Sequence, residues 1–261
     1  MAIFDPYFRK VAEYAAALRQ KGVPVREASC PSSVDELLAG LPIRVGPGAS
    51  ERVILRSETF VELGNPDAGS SGLLLWTQDT SLVKDGQVTI AGPDIPESEG
   101  AGLPLGQVLL VAGRGLGEPE HEVLDRTQYV ADRIEGYMIK STPGRMWSRV
   151  SRDAAGKGLD LTALGGALMA ILKSEVDKVE AAEVLFVTSS KEDVQLLDDI
   201  AEQVRKISKD VVRENWLARG YDILECTLGW DCNSCPDKVV CDGIRQVIKV
   251  KKKKGKDKDA G

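Results

Sequence analysis

Four of the five cysteines of the chain crowd into 16 residues. They are Cys226, Cys232, Cys235 and Cys241, separated by five, two and five residues. A Cys-x2-Cys step lets two thiolates bind one centre from a tight turn, and thiolates are ligands that suit zinc and iron–sulfur clusters. We therefore predict that this segment folds around one metal site near the end of the chain.

The spacing favours a [4Fe-4S] cluster at that site. Zinc sites usually show two Cys-x2-Cys knuckles or a Cys/His pair set well apart, whereas here one knuckle is flanked by single cysteines. The one histidine, His121, is far away in the sequence. Zinc and free buried thiols stay open as alternatives, and disulfides are disfavoured in a reducing compartment. The fifth cysteine, Cys30, is interpreted as a small buried hydrophobe.

Composition and charge limit the location and the partners of the chain. No stretch approaches the roughly 18 apolar residues that span a bilayer, and charges interrupt the N-terminal segment, so we expect a cytoplasmic protein without membrane association. The last 13 residues hold a local charge of +5 against −6 for the whole chain, which leaves −11 elsewhere. An acidic body argues against nucleic-acid binding. The lysine-rich tail is predicted to be a disordered, solubilising end, with docking to an anion or a partner as the alternative.

The pattern of apolar residues predicts an α+β protein. Helices at residues 5–22 and 34–38 form a helical arm over residues 1–45. Residues 46–215 form an α+β domain with a β-rich middle, read as a mainly antiparallel sheet. The strands predicted there are residues 52–55, 59–63, 72–78, 87–90 and 106–111.

The second half of the chain is predicted to be rich in helices. Helices are expected at residues 118–139, 151–157, 162–173 and 191–213, with a buried strand at residues 183–189. Residues 216–248 form the cysteine-rich metal-binding segment, and residues 249–261 form the disordered tail. The glycine-rich residues 113–117 are interpreted as a turn from strand to helix, since the Lys-Ser/Thr of a phosphate loop does not follow them.

Several phrases, in order along the chain, resemble one protein family. They are residues 60–64 (FVELG), 84–95 (KDGQVTIAGPDI), 103–106 (LPLG), 123–126 (VLDR), 135–136 (EG) and 147–158 (WSRVSRDAAGKG). Together they are similar to the middle region of the acetyl-CoA synthase (beta) subunit of the carbon monoxide dehydrogenase/acetyl-CoA synthase complex. The resemblance covers residues 48–245.

The resemblance implies two kinds of site. In the family, the middle region is associated with coenzyme A binding through arginines and a tryptophan, which points here to Arg145, Trp147, Arg149 and Arg152. Guanidinium groups suit phosphates and an indole can stack on adenine, but the same residues could be an ordinary charged surface at the start of a helix. The family's middle region also leads into a cysteine cluster that holds the [4Fe-4S] part of a nickel–iron–sulfur active site.

These observations leave three functional hypotheses. The first is an accessory electron-transfer or partner-docking protein of anaerobic one-carbon and acetyl-CoA metabolism, acting on a corrinoid or metalloenzyme partner, because four thiolates saturate a cubane cluster. The second is a subunit of an acyl- or methyl-transfer enzyme completed by another chain. A complete acetyl-CoA synthase is not expected from this chain alone, since the family's downstream Cys-Gly-Cys nickel element is missing from it. The third is a zinc-stabilised scaffold.

Overall fold

The structure is a computed structural model that describes residues 3–50, 59–98, 102–128, 133–140 and 145–218, together with Lys238. Its internal contacts divide the chain into two units, residues 1–204 and residues 205–261. The sheets described below belong to the first unit. The predicted strand at residues 52–55, the four clustered cysteines and the lysine-rich tail lie outside the described residues.

Helices and strands are interspersed along the described chain, which confirms the predicted α+β class. The helices are α1 (Asp5–Gln20), α2 (Val34–Gly40), α3 (Glu118–Thr127), α4 (Arg152–Gly156), α5 (Leu161–Glu175) and α6 (Lys191–Ala218). The strands are β1 (Val25–Ser29), β2 (Phe60–Leu63), β3 (Ser70–Thr77), β4 (Gln87–Ala91), β5 (Gly102–Leu103), β6 (Leu105–Ala112), β7 (Tyr137–Ile139), β8 (Ser148–Ser151) and β9 (Ala181–Val187).

The larger sheet of the described residues has the strand order β1-β4-β9-β6-β3 and is mixed. β3 and β6 are parallel, as are β4 and β9, whereas β1 with β4 and β6 with β9 are antiparallel. The prediction of a mainly antiparallel sheet was therefore wrong. The sequence of β6 already argues against that prediction, because it is almost wholly apolar, as is typical of strands covered on both faces. In the structure, β6 is buried at every position.

The helices cover the larger sheet with apolar faces that their sequences specify. In α1, the buried residues recur at helical spacing: Tyr7, Phe8, Val11, Tyr14 and Leu18. α5 is buried along most of its length and packs on β4 and β9. It approaches closely because Gly165 has no side chain: a Cβ there would lie 2.7 Å from a methyl carbon of Val88.

A smaller sheet has the order β5-β2-β8-β7 within the described residues. β2 is parallel to β5 and antiparallel to β8, and β8 is antiparallel to β7. The predicted helix at residues 118–139 was too long, since α3 ends at Thr127 and residues 137–139 form β7. Gly136, with φ of 74°, adopts the left-handed backbone that a helix interior does not use, and the three consecutive apolar residues of β7 follow it.

The other predicted elements that fall on described residues are confirmed, with ends shifted by at most five residues. Ser33 caps α2 by accepting a hydrogen bond from the backbone N–H of Glu36. The N-terminal segment also contains β1, an edge strand of the larger sheet that the sequence analysis did not predict. Among the described residues, no helix is both long and apolar enough to cross a membrane.

Candidate functional site

The predicted metal ligands Cys226, Cys232, Cys235 and Cys241 lie outside the described residues, so the metal site stays a prediction. Within the described part of the chain, histidine, cysteine and carboxylate side chains do not assemble in groups of three or more that could hold a metal ion. Cys30 is half-buried beside Gly166 of α5, and burial followed by the charge of Asp160 raises the pKa of its thiol. Cys30 packs against the hydrophobic core as a partly buried side chain, not as the fully buried one that was predicted.

The predicted coenzyme-contacting residues lie on one short segment. Arg145 and Trp147 precede β8, Arg149 lies within it, and Arg152 is the first residue of α4. Trp147 and Arg149 are two residues apart on an extended backbone, so they point to the same face of the smaller sheet. Arg145 and Arg152 are exposed. The structure thus brings together two of the four predicted residues.

Trp147 and Arg149 belong to what we call the outer face of the smaller sheet, defined by Phe60, Glu62, Met138, Lys140, Trp147 and Arg149. The pairing register puts these residues side by side: Arg149 lies opposite Glu62 on β2 and opposite Met138 on β7. The backbone N–H of Lys140 donates to the carbonyl oxygen of Trp147 at 2.6 Å, which continues the ladder by one step. The alternate residues of β2 and β8, such as Val61 and Val150, point into the core.

Arg149 is held in place by two neighbours on the outer face. Its Nε and Nη2 both donate to Oε1 of Glu62, at 2.9 and 2.7 Å, and its Cζ lies 4.1 Å from the ring centroid of Phe60. The side chains of the ion pair are only 20% and 16% exposed. Arg149 is therefore already neutralised by a carboxylate, which makes its guanidinium group less suited to bind a phosphate.

Glu62 is ionised in this setting. Burial raises the pKa of its carboxyl, but the hydrogen bonds from Arg149 and Asn65 and the charges of Arg149 and Lys140 outweigh burial and leave the pKa below its usual value. The Nδ2 of Asn65 donates to Oε2 of Glu62 at 3.3 Å. Both carboxylate oxygens are thus occupied by donors of this chain.

Lys140 supplies a cation that the sequence analysis missed. It is exposed, and its Nζ lies 5.1 Å from the centroid of the Trp147 ring, within cation–π range. The indole Nε1 of Trp147 is buried and finds no acceptor among the described residues. An ammonium group beside an indole ring can bind a ligand that combines a negative charge with an aromatic ring.

A cavity of about 570 Å³ lies at the carboxyl ends of the parallel strands β4 and β9. Its polar lining is already paired: Arg26 donates to Glu97 at 2.7 Å, and Ser189 donates to Asp193 at 2.7 Å. The first turn of α6 beside it is acidic. Because these groups satisfy one another, the cavity does not indicate a particular ligand.

Comparison with known proteins identifies relatives of this domain. The family model described as CO dehydrogenase/acetyl-CoA synthase complex beta subunit matches residues 41–194. The chain is 31% identical, over 209 residues, to the acetyl-CoA decarbonylase/synthase complex subunit beta 1 of Methanosarcina thermophila, covering 78% of this chain and 43% of that protein. It is 30% identical to the corresponding beta subunit of Methanopyrus kandleri (66% of this chain, 36% of that protein). For the beta subunit of Archaeoglobus fulgidus the identity is 29% (69% and 34%).

The chain thus spans less than half the length of these relatives. The family match contains the smaller sheet with its outer face, and every strand of the larger sheet except the edge strand β1. It ends at residue 194, well before the first clustered cysteine, Cys226.

Proposed function

Since the chain belongs to the family of CO dehydrogenase/acetyl-CoA synthase complex beta subunits, we propose that it is an iron–sulfur protein that docks on a subunit of such a complex and exchanges electrons with it. The setting would be anaerobic one-carbon and acetyl-CoA metabolism. The observation that supports this proposal is the set of four cysteines that follows the family domain.

The donor set fits an iron–sulfur cluster by its chemistry. Cys226, Cys232, Cys235 and Cys241 provide four thiolates, the number that saturates a [4Fe-4S] cubane. A cluster whose irons all have protein ligands has no open position for substrate, so electron transfer suits it better than substrate binding. The bound group would supply one-electron chemistry, and the protein residues would set its exposure to solvent.

The cluster is tested by anaerobic purification followed by a visible spectrum and analysis of iron, sulfide, zinc and nickel. We expect a brown protein with roughly four iron and four sulfide per chain, and a Cys235→Ser variant that loses them. Cys30→Ser is the matched control, because Cys30 is a half-buried thiol of the first unit, and it should keep the cluster. A colourless protein with about one zinc would instead establish the scaffold.

The partner is proposed to be a corrinoid or metalloenzyme subunit, since the relatives are named as subunits of a decarbonylase/synthase complex. A direct test is to reduce the purified protein and mix it with a purified corrinoid subunit in a stopped-flow instrument. We expect the cluster absorbance to recover at a rate that rises with the concentration of the corrinoid subunit. No recovery with the corrinoid subunit or with the carbon monoxide dehydrogenase subunit would refute the electron-transfer role.

A second candidate function is coenzyme A binding, as part of an acyl- or methyl-transfer site completed by another chain. Lys140 beside the Trp147 ring favours it, because coenzyme A combines phosphates with an adenine ring. Isothermal titration of coenzyme A tests it with Lys140→Met against Lys84→Met, which removes an equal charge from an exposed lysine elsewhere. Loss of binding in the first variant alone would support this site, and no binding to the unmodified protein would refute it.

A further inference from the structure

Charge is distributed unevenly along this chain. The first unit, residues 1–204, has 20 basic and 31 acidic residues, which give it a net charge of −11. Residues 205–248, which include the four clustered cysteines, have seven of each and no net charge from them. The lysine-rich tail, residues 249–261, has seven lysines and two aspartates, a net charge of +5. The surplus of positive charge is therefore confined to the tail.

Many basic residues of the first unit are neutralised by its own carboxylates. Within the part of the chain that the structure describes, at least eleven of the 20 are in ion pairs. The Nζ of Lys173 lies 2.7 Å from Oδ1 of Asp85, and the Nζ of Lys21 lies 3.1 Å from Oδ1 of Asp193. The carboxylates in excess of such pairs make the first unit negative, so this unit would repel an acidic partner.

The covalent chain ties the tail to the cysteine cluster. Lys249 follows Cys241 by eight residues, and eight residues of fully extended chain span at most about 28 Å. A partner that binds the tail would therefore be held within that reach of the predicted cluster.

We propose that the lysine-rich tail is an electrostatic docking segment that binds an acidic patch on the surface of the partner subunit. This inference rests on the proposed function, in which the protein docks on a subunit of the complex, and it states the chemistry of the partner's surface. Lysine ammonium groups are compact, strongly hydrated charges, and each exposed pair that they form with a carboxylate is weak. Such contacts speed association more than they tighten binding, which suits a redox partner that must leave after each transfer.

The composition of the tail favours a protein over a nucleic acid or a membrane. The tail contains no arginine and no aromatic residue, the side chains that bind phosphates with two hydrogen bonds and stack on bases. Val250 is its one sizeable apolar side chain, which is too little to insert into a bilayer. An extended polyanion would also repel the negative first unit, whereas a protein can present a local acidic patch.

Surface plasmon resonance tests the tail, because it measures association without electron transfer. The unmodified protein is passed over an immobilised corrinoid subunit, and then over an immobilised carbon monoxide dehydrogenase subunit, in about 50 and about 500 mM NaCl. We expect the association rate constant for one of these subunits to fall about tenfold or more at the higher salt, because added ions screen the attraction.

Two variants separate the charge of the tail from the rest of its sequence. Combining Lys251→Gln, Lys252→Gln, Lys253→Gln and Lys254→Gln lowers the charge of the tail from +5 to +1. This variant should associate about tenfold more slowly at the lower salt and respond little to added salt. Arginine at the same four positions is the matched control, because it keeps the charge and should keep the association rate. The tail lies outside the first unit, so neither variant should shift the main thermal transition.

Equal association rates for the glutamine and arginine variants would overturn the proposal, as would failure of the unmodified protein to bind either subunit. Binding of comparable affinity to a mixed-sequence DNA duplex, or to vesicles that contain phosphatidylserine, would overturn the choice of a protein partner. Slow association of the glutamine variant, with no electron transfer by the unmodified protein, would support the docking segment and refute the electron-transfer role. Electron transfer at a rate that does not depend on the four lysines would do the reverse.

Discussion

The ion pair between Glu62 and Arg149 on the outer face of the smaller sheet is the best place to test the structure by mutation. Replacing Glu62 with glutamine keeps the size of the side chain and an oxygen that can accept from Arg149, but it removes the negative charge. Arg149 then stays packed against Phe60, with its Cζ 4.1 Å from the ring, without a counter-charge. The variant should therefore be less stable at neutral pH.

The magnitude follows from the exposure of the pair. Exposed ion pairs contribute about 0 to 1 kcal/mol, while breaking a fully buried pair costs about 3 to 5 kcal/mol. The two side chains are 20% and 16% exposed, which places this pair between those limits. We expect Glu62→Gln to lower the free energy of unfolding by about 2 kcal/mol and the Tm by about 4 to 8 °C.

The direction of the pKa shift of Glu62 determines how the Tm difference between the two proteins changes with pH. The pKa of Glu62 is below its usual value, because the donors around it outweigh the effect of burial. Its stabilising contribution is therefore fully present above the ordinary glutamate pKa of about 4.3, and it is lost as the pH falls through the lowered pKa. Thermal unfolding followed by circular dichroism should show a constant Tm gap between pH 7 and 5 that closes below about pH 4.

Glu183 of β9 is a control with the opposite sign. Burial raises the pKa of its carboxyl, although the backbone N–H of Lys84 donates to its Oε2 at 2.9 Å. A carboxyl with a raised pKa destabilises the protein while it is charged, so Glu183→Gln should gain stability relative to the unmodified protein at pH 7 and lose that advantage at acid pH. No Tm gap for Glu62→Gln at pH 7, or a gap that persists unchanged to pH 3, would refute the reasoning.

Three further predictions concern the interior. Gly64→Ala should cost about 3 kcal/mol in urea unfolding, because its φ is 66° and a Cβ would lie 2.2 Å from the carbonyl oxygen of Met146, whereas Gly156→Ala meets nothing within 4 Å and should cost no stability. Lys173→Met should lower the Tm by several degrees, because the Nζ lies 2.7 Å from Oδ1 of Asp85 and is nearly buried, so its loss leaves a partly buried carboxylate unpaired. Cys30 should resist alkylation at pH 7 until the protein unfolds, because burial raises the pKa of its thiol; rapid labelling of a variant that retains only this cysteine would contradict it.

Long elements in which apolar residues recur at one regular spacing could be predicted from the sequence alone. The spacing of Tyr7, Val11, Tyr14 and Leu18 indicates α1 because every one of them packs inward. Short strands were harder: β7 has three residues, and its apolar side chains continue the spacing of α3 closely enough to imitate one longer helix. What separates the two elements is the left-handed backbone at Gly136, which a periodicity argument does not register.

The candidate site shows the same division between local and long-range information. Trp147 and Arg149 could be found because they stand two residues apart in one phrase. The partner of Arg149 could not, since Glu62 is 87 residues away and reaches it only through the pairing of β2 with β8. Lys140 was missed for the same reason. It lies two residues after Met138 of β7, so a correct prediction of that strand would have placed both side chains on the same face.

The four clustered cysteines belong to the second unit, residues 205–261. Among the described residues, the buried apolar cluster of the first unit has members from Leu37 to Phe186 along the chain. A structural metal contributes folding free energy to the segment that it organises. Stripping the metal with an oxidant and a chelator should therefore expose residues 219–261 to trypsin while the main thermal transition shifts by no more than about 1 °C. Loss of the whole transition on metal removal would mean that the family domain depends on the cysteine segment for its stability.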